Sequence, residues 1–181
     1  MGRLTLVLGG SRSGKSEFAE NLVREAEREG KKVVYIATCE FRPEDPEMAD
    51  RIGRHRKRRP SAWRTAEEPL ALEEAVLKLE SDTVALVDCL SLWVSNLLFS
   101  LPERQEGEEE EILRQVRAFC RAVSISAADV VAVSSETGLG VVPPTPLGRL
   151  YRDVLGQANQ EVARSAGEVW FVAAGLPLKL K

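Results

Sequence analysis

Histidine occurs once in the 181 residues, at position 55, and cysteine only three times, at Cys39, Cys89 and Cys120. Three thiols, odd in number, far apart and without a C-x-x-C pair, point to neither a disulfide framework nor a zinc site, and fit a reducing cytoplasm. No apolar run approaches the roughly 18–20 residues that a membrane span requires. The chain runs from Met1 almost directly into a strand-like segment, so no signal peptide is expected. Neither sign of charge dominates: the net charge is −3, and the chain as a whole is not built to attract nucleic acid. Repeats, linkers and low-complexity stretches are missing too. With 44% hydrophobic and 29% charged residues, positions 1–181 read as one globular domain.

Against these absences stands Gly9-Gly10-Ser11-Arg12-Ser13-Gly14-Lys15-Ser16, a G-x-x-x-x-G-K-S phosphate-binding loop. The apolar run Leu4–Leu8 precedes it and suits a buried parallel strand; the Glu-, Ala- and Arg-rich stretch 17–29 follows it and suits a helix. Strand, glycine loop and helix are the context in which the pattern has mechanical meaning. Glycines let backbone N–H groups turn inward around phosphate oxygens, and the helix N-terminus adds the positive end of its dipole. Lys15 would then reach the outer phosphates, while the Ser16 hydroxyl would ligate Mg²⁺. Asp88 closes a later apolar strand, Thr83–Asp88, at the position of a second acidic element that holds or orients Mg²⁺; the plainer alternative is a helix cap.

Further strands are expected at 33–38, 129–134 and 168–173, with a short one at 178–181. Helices are expected at 47–58, 70–80, 91–101, 108–123 and 147–166, the 91–101 segment being buried or at a subunit boundary. Residues 61–69 read as irregular. Alternating strands and helices imply an α/β fold, a P-loop NTPase with a mostly parallel central sheet and helices on both faces. Ligands in such sheets bind beyond the carboxyl ends of the strands. The phosphate loop, Thr38, Asp88 and the Gly/Pro-rich loop from Glu136 should therefore converge.

Charge is unevenly distributed. Residues 51–59 carry six Arg or Lys and no acid, and residues 103–111 carry six Glu. On a helix, Arg51, His55, Arg58 and Arg59 share a face. Such a face is ordinarily solvated or a polyanion patch, and a lone histidine is ordinarily structural. In a chain committed to a nucleoside triphosphate, however, cations can clamp phosphates. Neighbouring arginines also disfavour the imidazolium, leaving His55 neutral and able to attack phosphorus. Three readings remain open on these residues: a kinase that also transfers a nucleotidyl group, a small-molecule kinase that does not, and a nucleotide-dependent protein that docks nucleic acid through 51–59.

The sequence resembles, from end to end, the bifunctional adenosylcobinamide kinase / adenosylcobinamide-phosphate guanylyltransferase family of cobalamin biosynthesis. The resemblance lies in Gly9–Ser16, Tyr35-Ile36-Ala37-Thr38, and Arg51-Ile52 with His55-Arg56 and Arg59-Pro60. It continues in Trp63-Arg64-Thr65-Ala66-Glu67, Val94–Leu98, Glu136–Pro143 and Gly175–Lys181. It implies a RecA-like fold, a homo-oligomer (a trimer), and two reactions. A nucleoside triphosphate, ATP or GTP with Mg²⁺, phosphorylates adenosylcobinamide. GTP then gives GMP to a histidine, matched here only by His55, and adenosylcobinamide phosphate takes the GMP up. By the same matching Gly9 to Ser16, Ile36, Ala37, Thr38, Arg56, Lys57, Arg58, Arg59, Glu67 and Asp88 fall on GTP-binding segments. Some members carry Glu in place of Asp88, and some carry two histidines where this chain has Arg54-His55. The acidic segment 103–111 matches no family motif.

Three residues carry open alternatives. Glu67 binds nucleotide or caps the following helix. Glu136 is a base for the corrinoid hydroxyl or a turn residue. Trp63 stacks on a ring of the substrate or is a buried structural tryptophan.

Overall fold

The computed structural model describes residues 1–39, 53, 60–101 and 107–181. The helix expected at 47–58, with His55, Arg56, Lys57 and Arg58 on it, lies almost wholly outside the described residues, as do Arg59 and the first part of the acidic segment. Among the described residues the elements run β1 (Leu4–Gly9), α1 (Lys15–Arg28), β2 (Lys32–Ala37), β3 (Arg64–Glu67), α2 (Leu72–Leu77), β4 (Thr83–Asp88) and α3 (Leu90–Ser100). They continue with α4 (Glu108–Ile125), β5 (Asp129–Ser135), α5 (Pro146–Ser165), β6 (Glu168–Ala173) and β7 (Leu176–Lys179).

The strands form one seven-stranded sheet in the order β3-β2-β4-β5-β1-β6-β7. Every pairing is parallel except that of β6 with β7, a hairpin. The α/β, mostly parallel architecture is thus the one expected. Side-chain alternation sorts each strand between two cores. Leu4, Leu6, Leu8, Ala85, Val87, Val130 and Ala132 face one side, where α2, α3, α4 and α5 cover them. Val7, Val33, Tyr35, Val84, Leu86, Val131 and Val133 face the other, against Ala19 and Val23 of α1. Phe119 of α4 and Trp93 of α3, both almost fully buried, meet at 5.8 Å in a tilted pair. Such a pair adds about 0.5–1.5 kcal/mol beyond the area it buries.

The helix after the phosphate loop starts and stops for identifiable reasons. Gly14, at φ 95°, takes the left-handed turn that leads into Lys15. At the other end Gly30 adopts φ 97°. Its N–H donates to Glu27 O at 2.9 Å and that of Lys31 donates to Ala26 O at 3.1 Å, the paired bonds of a Schellman C-cap.

Two expectations need correction. Residues 64–67 are not irregular: they form β3, an edge strand whose four residues pair with Val34–Ala37. An edge strand with one neighbour and no buried residue carries no apolar alternation, so its pattern is silent. The last strand is Leu176–Lys179 rather than 178–181, because a tight turn at Ala174 (φ 51°) and Gly175 (φ 80°) brings the chain straight back along β6.

Candidate functional site

The phosphate loop leaves the carboxyl end of β1, between β5 and β6. Its shape depends on small residues. A Cβ on Gly9 would lie 2.4 Å from Ser13 Oγ and 2.6 Å from Val172 O, so only glycine lets the loop fold over its own strand. A Cβ on Gly14 would lie 3.1 Å from Gly175 Cα. Arg12 holds φ 56°, a left-handed conformation unusual outside glycine and of the kind that concentrates at ligand sites. The loop is pinned from two sides: Gly175 N–H donates to Ser13 O at 2.8 Å, and Glu136 N–H donates to Gly9 O at 3.1 Å. Lys15 is buried, with Nζ donating to Gly10 O at 3.0 Å, so its charge is folded back over the loop rather than out to solvent. Ser13 Oγ is buried without a hydrogen-bond partner among the described residues. A buried hydroxyl without a partner is costly, and inside a glycine cradle it fits a phosphate oxygen.

The second part of the site is the end of β4. Alternation puts Asp88 on the α1 face of the sheet with Val84 and Leu86, the face that also carries the helix begun by Lys15 and Ser16. Asp88 Oδ2 accepts from Tyr35 Oη at 2.8 Å. The helix that follows is capped at Cys89, so Asp88 is not its N-cap residue. Ser16 and Asp88 offer a hydroxyl and a carboxylate, hard oxygen donors of the kind that hold Mg²⁺ together with substrate phosphates. Among the described residues no cluster of three or more His, Cys, Asp or Glu could hold a metal ion by itself.

Thr38 is fully buried. Its hydroxyl donates to Cys89 O at 2.8 Å and accepts from Cys89 N–H at 2.9 Å. Asn96 of α3 donates to Thr38 O at 2.7 Å and to Pro69 O at 3.1 Å. Ile36 is also in the core, so any contact of these two residues with a nucleotide must run through the backbone. Ala37 is half-buried and sits in register with Glu67 on one side and Asp88 on the other, a row across the ends of three strands. Glu67 itself is exposed. The carboxylate that accepts from the turn before α2 is that of its neighbour Glu68, which takes Leu70 N–H at 3.1 Å and Ala71 N–H at 2.7 Å.

Behind this row lies a polar seam that composition does not announce. Ser134 Oγ donates to Asn159 Oδ1 at 2.7 Å, and Asn159 Nδ2 donates to Ser135 O at 3.0 Å. Ser91 Oγ lies 3.3 Å from Ser135 Oγ and 3.1 Å from Cys89 Sγ. Tyr151 Oη donates to Ser91 O at 3.0 Å; burial, reinforced by the nearby Cys89, pushes its pKa up to about 12. Burial and the Asp88 charge push the Cys89 thiol up as well, with the Ser91 hydroxyl and the Lys15 charge acting the other way. Cys89 therefore stays a neutral thiol.

Trp63 is buried, donates from Nε1 to Glu27 Oε1 at 3.1 Å and carries the Arg24 guanidinium 5.8 Å from its ring centre, which is the structural role. The Glu136 carboxylate accepts from Gly138 N–H at 3.1 Å, which makes it a turn residue here. Cys120 is buried, but Cys39 and Cys89 are only partly so. No described helix is long and apolar enough to cross a membrane.

A family model for cobinamide kinase / cobinamide phosphate guanyltransferase matches residues 5–180. The bifunctional adenosylcobalamin biosynthesis protein CobP of Pseudomonas aeruginosa is 46% identical over 179 residues, covering 97% of this chain and 96% of that one. The corresponding CobU proteins of Escherichia coli and Salmonella typhimurium are 37% and 39% identical over 186 residues, covering 98% of this chain and 99% of each. In fold, the chain is similar to the crystal structure of the flagellar accessory protein FlaH from Methanocaldococcus jannaschii, with a TM-score of 0.54 at 15% identity over 99% of this chain and 78% of that one. Matched along nearly its whole length, and with the phosphate loop intact, this chain belongs to the cobinamide kinase / cobinamide phosphate guanyltransferase family.

Proposed function

We propose that residues 1–181 form one domain that carries out both reactions in sequence: it phosphorylates adenosylcobinamide and then transfers GMP from GTP to adenosylcobinamide phosphate. The observation that carries this reading is a cradle of phosphate-binding form in a chain that belongs throughout its length to a family of both activities. In the first reaction the substrate hydroxyl oxygen attacks the terminal phosphorus of ATP or GTP. The bond to the bridging oxygen breaks, a nucleoside diphosphate leaves, and the hydroxyl proton is lost to solvent. Lys15 and the loop amides hold the phosphates in line, so catalysis is mainly positioning and charge stabilisation. Ser16 and Asp88 would hold Mg²⁺, which when bound would supply neutralisation of phosphate charge.

In the second reaction a neutral His55 nitrogen attacks the α-phosphorus of GTP and pyrophosphate leaves. A phosphate oxygen of the corrinoid then attacks the same phosphorus, the P–N bond breaks, and histidine is restored. Arg56, Lys57, Arg58 and Arg59 are suited to clamp the triphosphate during that step. Ile36, Ala37, Thr38 and Glu67 border the nucleotide in this reading. Phe99, Leu139 and Val141, apolar and exposed in the single chain, are consistent with assembly into a trimer, and the setting is the cytoplasm.

GTP labelled on its α-phosphorus tests the reading. The expected result is an acid-labile protein-bound GMP in the wild type, absent from His55→Ala, with much of the kinase activity kept in the variant. No label in the wild type would remove guanylyl transfer through histidine. Equal loss of both activities in His55→Ala would make His55 a structural residue or a phosphate clamp.

A further inference from the structure

From the end of β2 we infer that Tyr35 is a positioning residue for the nucleotide-bound metal, acting through Asp88; the inference rests on the reading of Asp88 as a Mg²⁺ residue. Tyr35 is buried to 3% exposure among aliphatic side chains of the α1 face, packed with Val33, Val84 and Leu86. Burying a tyrosine in such a place is costly unless its hydroxyl finds a partner. The partner is Asp88 Oδ2, at 2.8 Å. Parallel register explains how they meet. Tyr35 lies opposite Leu86 and Ala37 opposite Asp88, so Tyr35 and Asp88 are diagonal neighbours on one face of the sheet. The ring is buried within the α1-face core, and close packing there restrains where its hydroxyl can point.

Asp88 closes β4, and its carboxylate stands at the strand end. The Tyr35 hydroxyl gives it a preferred direction. The backbone beneath it is held by Thr38, the residue that follows β2, whose N–H donates to Asp88 O at 3.4 Å and whose hydroxyl brackets both backbone groups of Cys89. Tyr35 of β2 and Thr38 just after it thus hold Asp88, one at its carboxylate oxygen and one at its main chain. A carboxylate that receives a hydrogen bond from a rigid donor is aimed before the metal arrives, and loss of such outer partners characteristically weakens metal binding.

The substitution that isolates this contact is Tyr35→Phe, which keeps the packed ring and removes only the hydroxyl. Mn²⁺ serves as the probe, its binding to the protein–GTP complex read by electron paramagnetic resonance. The expected result is Mn²⁺ affinity lowered on the order of 10-fold. Metal-free GTP affinity should stay within about twofold, since the phosphate loop is untouched. In steady state the Mg²⁺ concentration for half-maximal activity should rise, with KM for GTP at saturating Mg²⁺ little changed. Placed in an Asp88→Asn background, Tyr35→Phe should add no further loss of Mn²⁺ affinity. Wild-type Mn²⁺ affinity in Tyr35→Phe overturns the inference. So does an equal loss of metal-free GTP affinity, which would mark a general disturbance of the fold. Wild-type Mn²⁺ affinity in Asp88→Asn overturns the reading of Asp88 itself, whatever Tyr35→Phe does.

Discussion

The two ends of the central sheet are held in different ways. At the amino ends of the strands the polar contacts are ion pairs near solvent. Asp129 takes the Lys31 ammonium, the Arg3 N–H at 2.8 Å and the Arg3 guanidinium at 3.3 Å, and Lys32 bridges Glu80 at 2.7 Å and Asp82 at 3.1 Å. At the carboxyl ends the contacts are short, largely buried and mostly between neutral groups: Thr38 with Cys89, Ser134 with Asn159, Asn96 with two carbonyls. Exposed ion pairs are screened and contribute little each, whereas a buried donor that loses its partner keeps its full desolvation penalty. Among the described residues, then, these ion pairs near solvent lie at the amino ends, and the carboxyl ends beside the phosphate loop are braced largely by fixed dipoles.

Three changes sharpen this contrast. The largest effect is expected for Lys15→Ala. It removes a cation aimed at phosphate, so turnover should fall by about 10²–10³ or more in both reactions, with weaker GTP binding measured by calorimetry. Unchanged turnover and affinity would break the assignment of the phosphate loop. Next comes Thr38→Val, nearly isosteric but without the hydroxyl. It leaves Cys89 N–H unpaired in the interior, at a cost of about 1–3 kcal/mol, and the thermal midpoint should fall on the order of 5 °C. Thr38→Ser should recover most of that loss. The smallest effect is at the opposite end. Burial of Asp129 would raise its pKa, but Lys31 and Arg3 outweigh it and hold the carboxyl below its ordinary value. A depressed folded-state pKa gives stability that is present above the unfolded pKa and is lost as pH falls through the folded one. Asp129→Asn should accordingly lower stability slightly near neutral pH and flatten the acid limb below about pH 4, as read by denaturant titration at several pH values. An unchanged acid limb would assign that stability to other carboxylates.

The glycine loop, the strands beside it and the long helices are legible because their signals are local. Leu4–Leu8 and Thr83–Val87 are continuous apolar runs, and α4 and α5 repeat their apolar positions at helical spacing. The strand β3 is not legible, since Arg64-Thr65-Ala66-Glu67 buries nothing and borrows its conformation from β2. The site is legible to the extent that it is made of loop residues at strand ends. Its supports are not, because Tyr35 and Thr38 look like ordinary strand residues until register sets them against Asp88 and Cys89. Period-two alternation does place Tyr35 and Asp88 on the same face once β2 and β4 are neighbours, but adjacency of those strands is a property of topology. Glu67 and Glu68 show the same limit: adjacent acids read alike, and only the turn geometry selects Glu68 for the backbone donors.

The hydrogen bond from Gly175 to Ser13 links residues near opposite ends of the sequence. The phosphate loop hangs from β1, and β1 lies between β5 and β6, strands that enter the chain only at Asp129 and Glu168. The earliest-made part of the site is therefore the last to acquire its walls. A nascent chain that has grown as far as Ala128 contains all eight residues of the loop, the lysine included, and neither of the strands that give the loop its shape.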